Sequence, residues 1–189
     1  MGRTREFDAD AALRSAMGVF WAKGYEAASV QNLLAAMGIH QKSMYDTFGG
    51  KRDLYAKALS LYVADFSREV AAIVSEKVSA KERIRKILLL ILPNAGKYTG
   101  CFMVNMSVEQ AGEDPATRDA LSRAYRRLRA TFADLVREGI RDGSVRSGAD
   151  PSERSLALLN SWMGIRALAR TVPDRAALGR VADAALVDL

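Results

Sequence analysis

Apolar residues recur along this chain every three or four positions, and no convincing strict alternation appears. That spacing predicts helices throughout and an all-α fold. The stripe Leu13, Ala16, Met17 and Phe20 predicts a first helix from Asp8 to Lys23, with Asp8 as N-cap and Gly24 as its stop. Ser29 opens a short helix over 30–37, Gly38 turns the chain, and a third helix follows over 41–48. Gly49 and Gly50 break it, and a long helix runs from Lys51 to Ser75. Ser79 precedes a helix reaching Leu92, and Gly100 precedes one from Cys101 to Ala111. Asp114-Pro115 sets an N-cap before a first-turn proline and opens a helix to Arg141. Asp150-Pro151 opens another to Thr171, and Pro173 opens the last, to Leu186. The expectation is about nine helices in two domains, 1–50 and 51–189.

The third helix is too polar to serve only as core. Ile39, Met44 and Phe48 share one face, and Val30, Leu33 and Leu34 are their partners on the preceding helix. His40, Gln41, Lys42, Ser43, Asp46 and Thr47 are left outside. Two short helices joined at a glycine turn, the second with a polar face, make a helix-turn-helix reader of the DNA major groove. Gln41 offers a donor and an acceptor to an adenine edge, and Lys42 suits guanine acceptors or phosphate. Ser29, at a helix N-terminus, suits capping and phosphate contact. Tyr45 either meets the DNA backbone with its hydroxyl or only packs. His40 is a base or phosphate contact or an ordinary surface residue. Lys51 opens the long helix where a second phosphate contact falls. Arg3 and Arg5, on an N-terminal arm, can reach an adjacent minor groove.

Charge alone does not locate this site. The chain of 189 residues carries a net +6. Yet residues 1–50 hold five basic side chains (Arg3, Arg5, Arg14, Lys23, Lys42) against five acidic ones (Glu6, Asp8, Asp10, Glu26, Asp46). The basic run at 126–129 reads as a solvated helix face. The longest aliphatic run, Ile87 to Leu92, is far short of the ~20 residues of a membrane helix. The N-terminus has no apolar core of a signal peptide. A single cysteine excludes an intrachain disulfide and suits a reducing cytoplasm. One histidine and one cysteine make a metal site or a Cys-His catalyst unsupported, so no enzyme activity, cofactor or metal is expected.

The segment FWAKGYEAASVQNLLAAMGIHQKSMYDTFGGKRDLYAKALSLY resembles the N-terminal domain of the TetR family of bacterial transcriptional regulators over about residues 7–62. The matching elements are Phe20, Lys23-Gly24-Tyr25, Ser29-Val30, Gly38-Ile39, Met44-Tyr45, Phe48, Lys51 and Leu54. The resemblance implies DNA contacts from Ser29, His40 to Ser43, Tyr45 and Lys51. It also implies a homodimer on a palindromic double-stranded operator, and repression relieved by a small-molecule effector in a divergent second domain. Gly50 departs from the pattern, which often carries a better cap there, and this weakens the start of the long helix.

In the resembled family the C-terminal helices enclose a ligand cavity and the last two long helices pair across a two-fold axis. Here the helix after Pro151 is apolar around much of its surface (Leu156, Leu158, Leu159, Trp162, Met163, Ile165, Leu168) and needs partners on two sides. Pocket candidates are Tyr62, Phe66, Cys101, Met103, Met106, Tyr125, Phe132 and Trp162, though aromatic and methionine side chains serve equally as core. Asn105, Glu109, Gln110 and Arg166 either orient a polar ligand or lie on the surface. Cys101, at a helix start near Lys97, has the setting of a stabilised thiolate. Its segment also resembles the GC…N…E segment of a subgroup that includes cysteine sensors of electrophiles or oxidants; the other reading is a small buried hydrophobe. The alternative function is a helical small-molecule-binding protein or enzyme that has lost DNA binding.

Overall fold

The computed structural model describes residues 7–90, 100–172, 174–187 and 189. Three short helices come first: α1 (Ala9–Lys23), α2 (Val30–Met37) and α3 (Gln41–Phe48). Asp8 starts α1 by accepting the N–H groups of Asp10 and Ala11 at 2.9 and 3.1 Å. Gly24, at φ +82°, ends it in a conformation L side chains rarely adopt. Phe20, Leu33, Met44 and Phe48 form the core of this unit, each 4 % exposed or less. The buried line of α1 is Ala12, Ala16, Phe20 and Trp21, with Leu13 and Met17 only partly covered. The apolar stripe expected there is therefore rotated by about one position. The cause is that α1 packs on α2 and on the following helix at once, and Ala12 and Ala16 let them approach.

That following helix, α4 (Lys51–Val74), serves both halves of the molecule. Leu54, Tyr55 and Ala58 face the short helices, whereas Tyr62, Phe66 and Val70 continue the buried line into the second half. Its glycine N-cap has no side chain, and Asp53 compensates by accepting the Gly50 N–H at 3.1 Å. The weak start expected at Gly50 is thus repaired from inside the helix.

The second half holds α5 (Ala80–Leu89), α6 (Phe102–Glu109), α7 (Pro115–Asp142), α8 (Pro151–Leu168) and α9 (Arg175–Ala185), which makes nine helices among the described residues. Ser79, Asp114 and Asp150 cap as their sequence positions predict. α6 is shorter than expected, because Cys101 is its N-cap and Gln110 closes it. α8 stops at Leu168, where tighter bonds from Arg170 N to Ala167 O and from Thr171 N to Leu168 O mix with a last α-type bond from Val172 N to Leu168 O. Asp174 caps α9 by accepting from Ala176 N at 2.8 Å; Pro173, expected to open that helix, lies outside the described residues, as do residues 91 and 92 of the expected fifth helix. No described helix is long and apolar enough to cross a membrane.

Candidate nucleic-acid interface

Gly38 sits at φ +66° in the left-handed region and donates its N–H to Leu34 O at 2.9 Å, so α2 ends sharply and α3 departs at a fixed angle. Met44 and Phe48 bury one side of α3 against the unit's core. Lys57, from α4, donates to the carbonyl of Phe48 at 3.0 Å and ties down the end of α3. This seating residue is absent from the sequence reading, because a lysine on a long amphipathic helix looks like any solvated one.

Gln41, Lys42, Tyr45, Asp46 and Thr47 are exposed along the outer side of α3, and Ser43 is half-buried. Tyr45 is 46 % exposed, an unusual amount for an aromatic side chain on a well-packed helix. His40 is the N-cap of α3 but makes no side-chain bond to its first turn. The N–H groups there therefore face outward with the positive end of the helix dipole. Ser29 caps α2 through its Oγ, which accepts from Asn32 N at 3.1 Å. The Asn32 side chain in turn receives Lys23 Nζ at 2.9 Å. Lys51 Nζ lies 4.5 Å above the Tyr25 ring and 3.4 Å from Glu26 O, in the loop between α1 and α2. Arg3 and Arg5 lie outside the described residues.

This reading unit is bolted to the second half at several points. Trp21 Nε1 donates to Gly100 O at 3.2 Å, and the Glu26 N–H donates to the carboxylate of Glu109 at 3.1 Å. α6 is thereby anchored to the short helices at both of its ends. Arg52 and Asp114 pair at 2.5 Å, and Asp114 also accepts from the N–H and hydroxyl of Thr117 at 3.0 and 2.6 Å. The hydroxyl of Thr117 first, then its N–H and Arg52, hold the Asp114 carboxyl below the usual carboxylate range. Trp21, Tyr55, Tyr62 and Phe102 interlock edge-to-face across the same seam, at centroid separations of 4.9 to 6.2 Å. Burial raises the Tyr55 phenol to about 12.

In the second half, several of the expected pocket residues share one interior cluster. Tyr62 donates its hydroxyl to Cys101 Sγ at 3.3 Å, and Cys101 is 3 % exposed. Tyr125 and Ser107 join their hydroxyls at 2.6 Å. Trp162 packs at a tilt on Phe66 and edge-to-face on Tyr125, at centroid separations of 5.3 and 6.1 Å. Burial pushes the Tyr62 and Tyr125 phenols well up. Met103, Met106 and Phe132 are buried as well. Arg166, read from sequence as a surface or ligand residue, is 3 % exposed and bonded inside this core. Glu109 is occupied at the seam, and Gln110 is buried. Lys97 lies outside the described residues. Beside the cluster, a groove of about 450 Å³ runs between α4 and α7, lined by Val63, Phe66, Val70, Ala124, Leu128 and Leu135 among others.

Two family descriptions match the chain: "Bacterial regulatory proteins, tetR family" over residues 12–58, and "Tetracyclin repressor-like, C-terminal domain" over residues 80–185. The HTH-type transcriptional regulator YezE of Bacillus subtilis (strain 168) is 32 % identical over 182 residues, 92 % of either chain. The HTH-type transcriptional repressor ComR of Escherichia coli (strain K12) is 33 % identical over 108 residues, 55 % of this chain and 51 % of that one. Among solved structures, a cysteine mutant of the TetR family regulator CifR, complexed with 26 bp of double-strand operator DNA, superposes with a TM-score of 0.83. It is 32 % identical and each chain is covered to 98 %.

Proposed function

This chain belongs to the TetR family of bacterial regulatory proteins, and we propose from that premise that it is a ligand-responsive repressor that binds a palindromic operator as a homodimer. The carrying observation is α3: buried on one side by Met44 and Phe48, it offers Gln41, Lys42 and Tyr45 outward from an uncapped N-terminal turn. Gln41 and Lys42 read base edges, while His40, Ser43, Tyr45, Ser29 and Lys51 meet the phosphate backbone. Arg3 and Arg5 extend the contact into the neighbouring minor groove. Residues 1–50 form the reading head, and residues 51–189 take the effector and dimerise.

The effector site is the interior cluster of Tyr62, Phe66, Cys101, Met103, Met106, Tyr125 and Trp162. The inducer is a small molecule or an electrophile, and the protein works by binding rather than by catalysis. Dimerisation uses α8 and α9, whose exposed Leu156, Leu168 and Val181 stand outward. An effector that favours a different setting of α4 changes the spacing of the two heads, and operator affinity falls by the differential binding energy of the two states. Selection of genomic fragments on the purified protein, followed by sequencing, tests the reading. A palindrome is expected; no enrichment at low salt refutes operator binding.

A further inference from the structure

Among the described residues, the interior of the second half gathers hydrogen-bond donors and one buried cation that pairs with no carboxylate. The Arg166 guanidinium donates to the backbone carbonyls of Leu88 and Trp162 at 3.0 and 3.3 Å, to Ile87 at 3.2 Å, and to Leu90. These neutral oxygens hold the group in place and leave its charge whole. No carboxylate among the described residues pairs with it; the titratable side chains nearest in effect are Cys101, Tyr62 and Tyr125. The guanidinium lies 3.9 Å over the ring of Trp162. Trp162 is 0 % exposed, and its Nε1–H has no hydrogen-bond partner among the described residues. A buried donor without an acceptor and a buried cation without an anion both weaken a fold, and one negatively charged acceptor relieves both.

Phe66 is the side chain shared between that place and the groove. Phe66 packs on Trp162 and also lines the α4–α7 groove, whose body is apolar (Val63, Val70, Ala124, Leu128). The two carboxylates on the groove's rim are already matched, Glu138 by Arg83 and Asp134 by Arg137, at 2.5 and 2.6 Å. The rim therefore does not select for cations.

Resting on the reading that this domain takes an effector, we propose that the effector is an amphiphilic anion, in its simplest form a carboxylate. Its apolar body lies in the α4–α7 groove, and its head passes Phe66 to accept from Trp162 Nε1 beside the Arg166 guanidinium. The guanidinium supplies positive potential, because its hydrogen bonds are spent on carbonyls.

Titration calorimetry of the full chain with octanoate, 1-octanol and octylamine tests this at a single chain length. Octanoate is expected to bind at least about tenfold more tightly than 1-octanol, with octylamine weakest. Variants of Arg166 disturb the fold through its carbonyl bonds, so Trp162→Phe carries the test: the ring stays and the donor goes. That variant should lose about tenfold for octanoate and nothing for 1-octanol. Ser67→Trp, at the exposed rim of the groove, should weaken both alike. Equal or tighter binding of 1-octanol, or an octanoate preference that survives Trp162→Phe, overturns the anion assignment. If none of the three binds but a neutral apolar compound releases operator DNA, the effector reading stands and this proposal falls. If no compound of any class alters operator binding, the effector reading itself falls.

Discussion

Lys51 has two duties at once. Its ammonium rests on the Tyr25 ring and reaches Glu26 O, which steadies the loop before α2, and it stays exposed enough to meet a phosphate there. Lys51→Ala should weaken binding to every DNA sequence about equally and lower the salt slope by roughly one counterion. An unchanged slope in filter or fluorescence titrations at several salt concentrations would remove Lys51 from the phosphate contacts. Gln41 is exposed at the first turn of α3, and its side chain bonds to none of the described residues. Gln41→Ala should therefore relax base preference while the salt slope stays put, and identical selectivity before and after would refute direct readout by this side chain. These residues were legible in the sequence because a polar face on an otherwise apolar unit is local information. Arg166 was not legible. Three of its four acceptors, the carbonyls of Ile87, Leu88 and Leu90, lie at the end of α5, up to 79 residues away, so only the tertiary fold shows that a charged residue on α8 is core.

At the scale of elements, α6 is a strut pinned at both ends to the reading head, by Trp21 to Gly100 and by Glu26 to Glu109. A shift of α6 on effector binding pulls directly on the loop before α2, alongside any movement of α4. Glu109→Ala should cut the factor by which effector lowers operator affinity several-fold, while effector affinity without DNA stays constant. A closed thermodynamic cycle of the two ligands measures it. Asp114 pins the same seam from α7. Its carboxyl titrates below the ordinary aspartate value of 3.8, so the stability it adds is present above that value and is lost as pH falls through the lower, folded one. Asp114→Ala should cost roughly 1 kcal/mol of cap energy at neutral pH and flatten the acid limb of the thermal midpoint against pH. An acid limb as steep as that of the parent chain would show that other carboxylates carry it. The caps at Asp8, Ser29, Ser79, Asp114 and Asp150 were legible because capping is a rule of a few adjacent residues. The ends of α6 and α8 were not: Cys101 is the N-cap of α6 rather than its first residue, and α8 closes at Leu168, where no glycine or proline marks the stop.

At the scale of the whole molecule, the exposed apolar surface is unevenly spread. Leu156 and Leu168 on α8, Val181 on α9 and Val187 just beyond it are 39 to 76 % exposed, and they account for four of the six exposed large hydrophobic side chains among the described residues. Inward, α8 buries Leu158, Trp162 and Ile165. The sequence showed a helix needing partners on two sides; the structure assigns the sides. Leu156, Met163 and Ala167 fall on one face of α8 at helical spacing, and on the neighbouring α9 the small residues Ala177 and Ala184 share a face with Val181. A self-complementary patch of this kind suits a two-fold axis, and two heads reading a palindrome about one DNA turn apart (~34 Å) require such an axis. Leu156→Glu places four like charges, two carboxylates and their Glu153 neighbours, near that axis. The variant should sediment as a monomer at micromolar concentration with its helical content intact. Its affinity for a full palindrome should fall at least about tenfold, toward that for a half-site, because the second head no longer arrives already tethered. A variant that stays dimeric and keeps full affinity would move the interface elsewhere on the chain, and the head spacing would then have to be derived from that other surface.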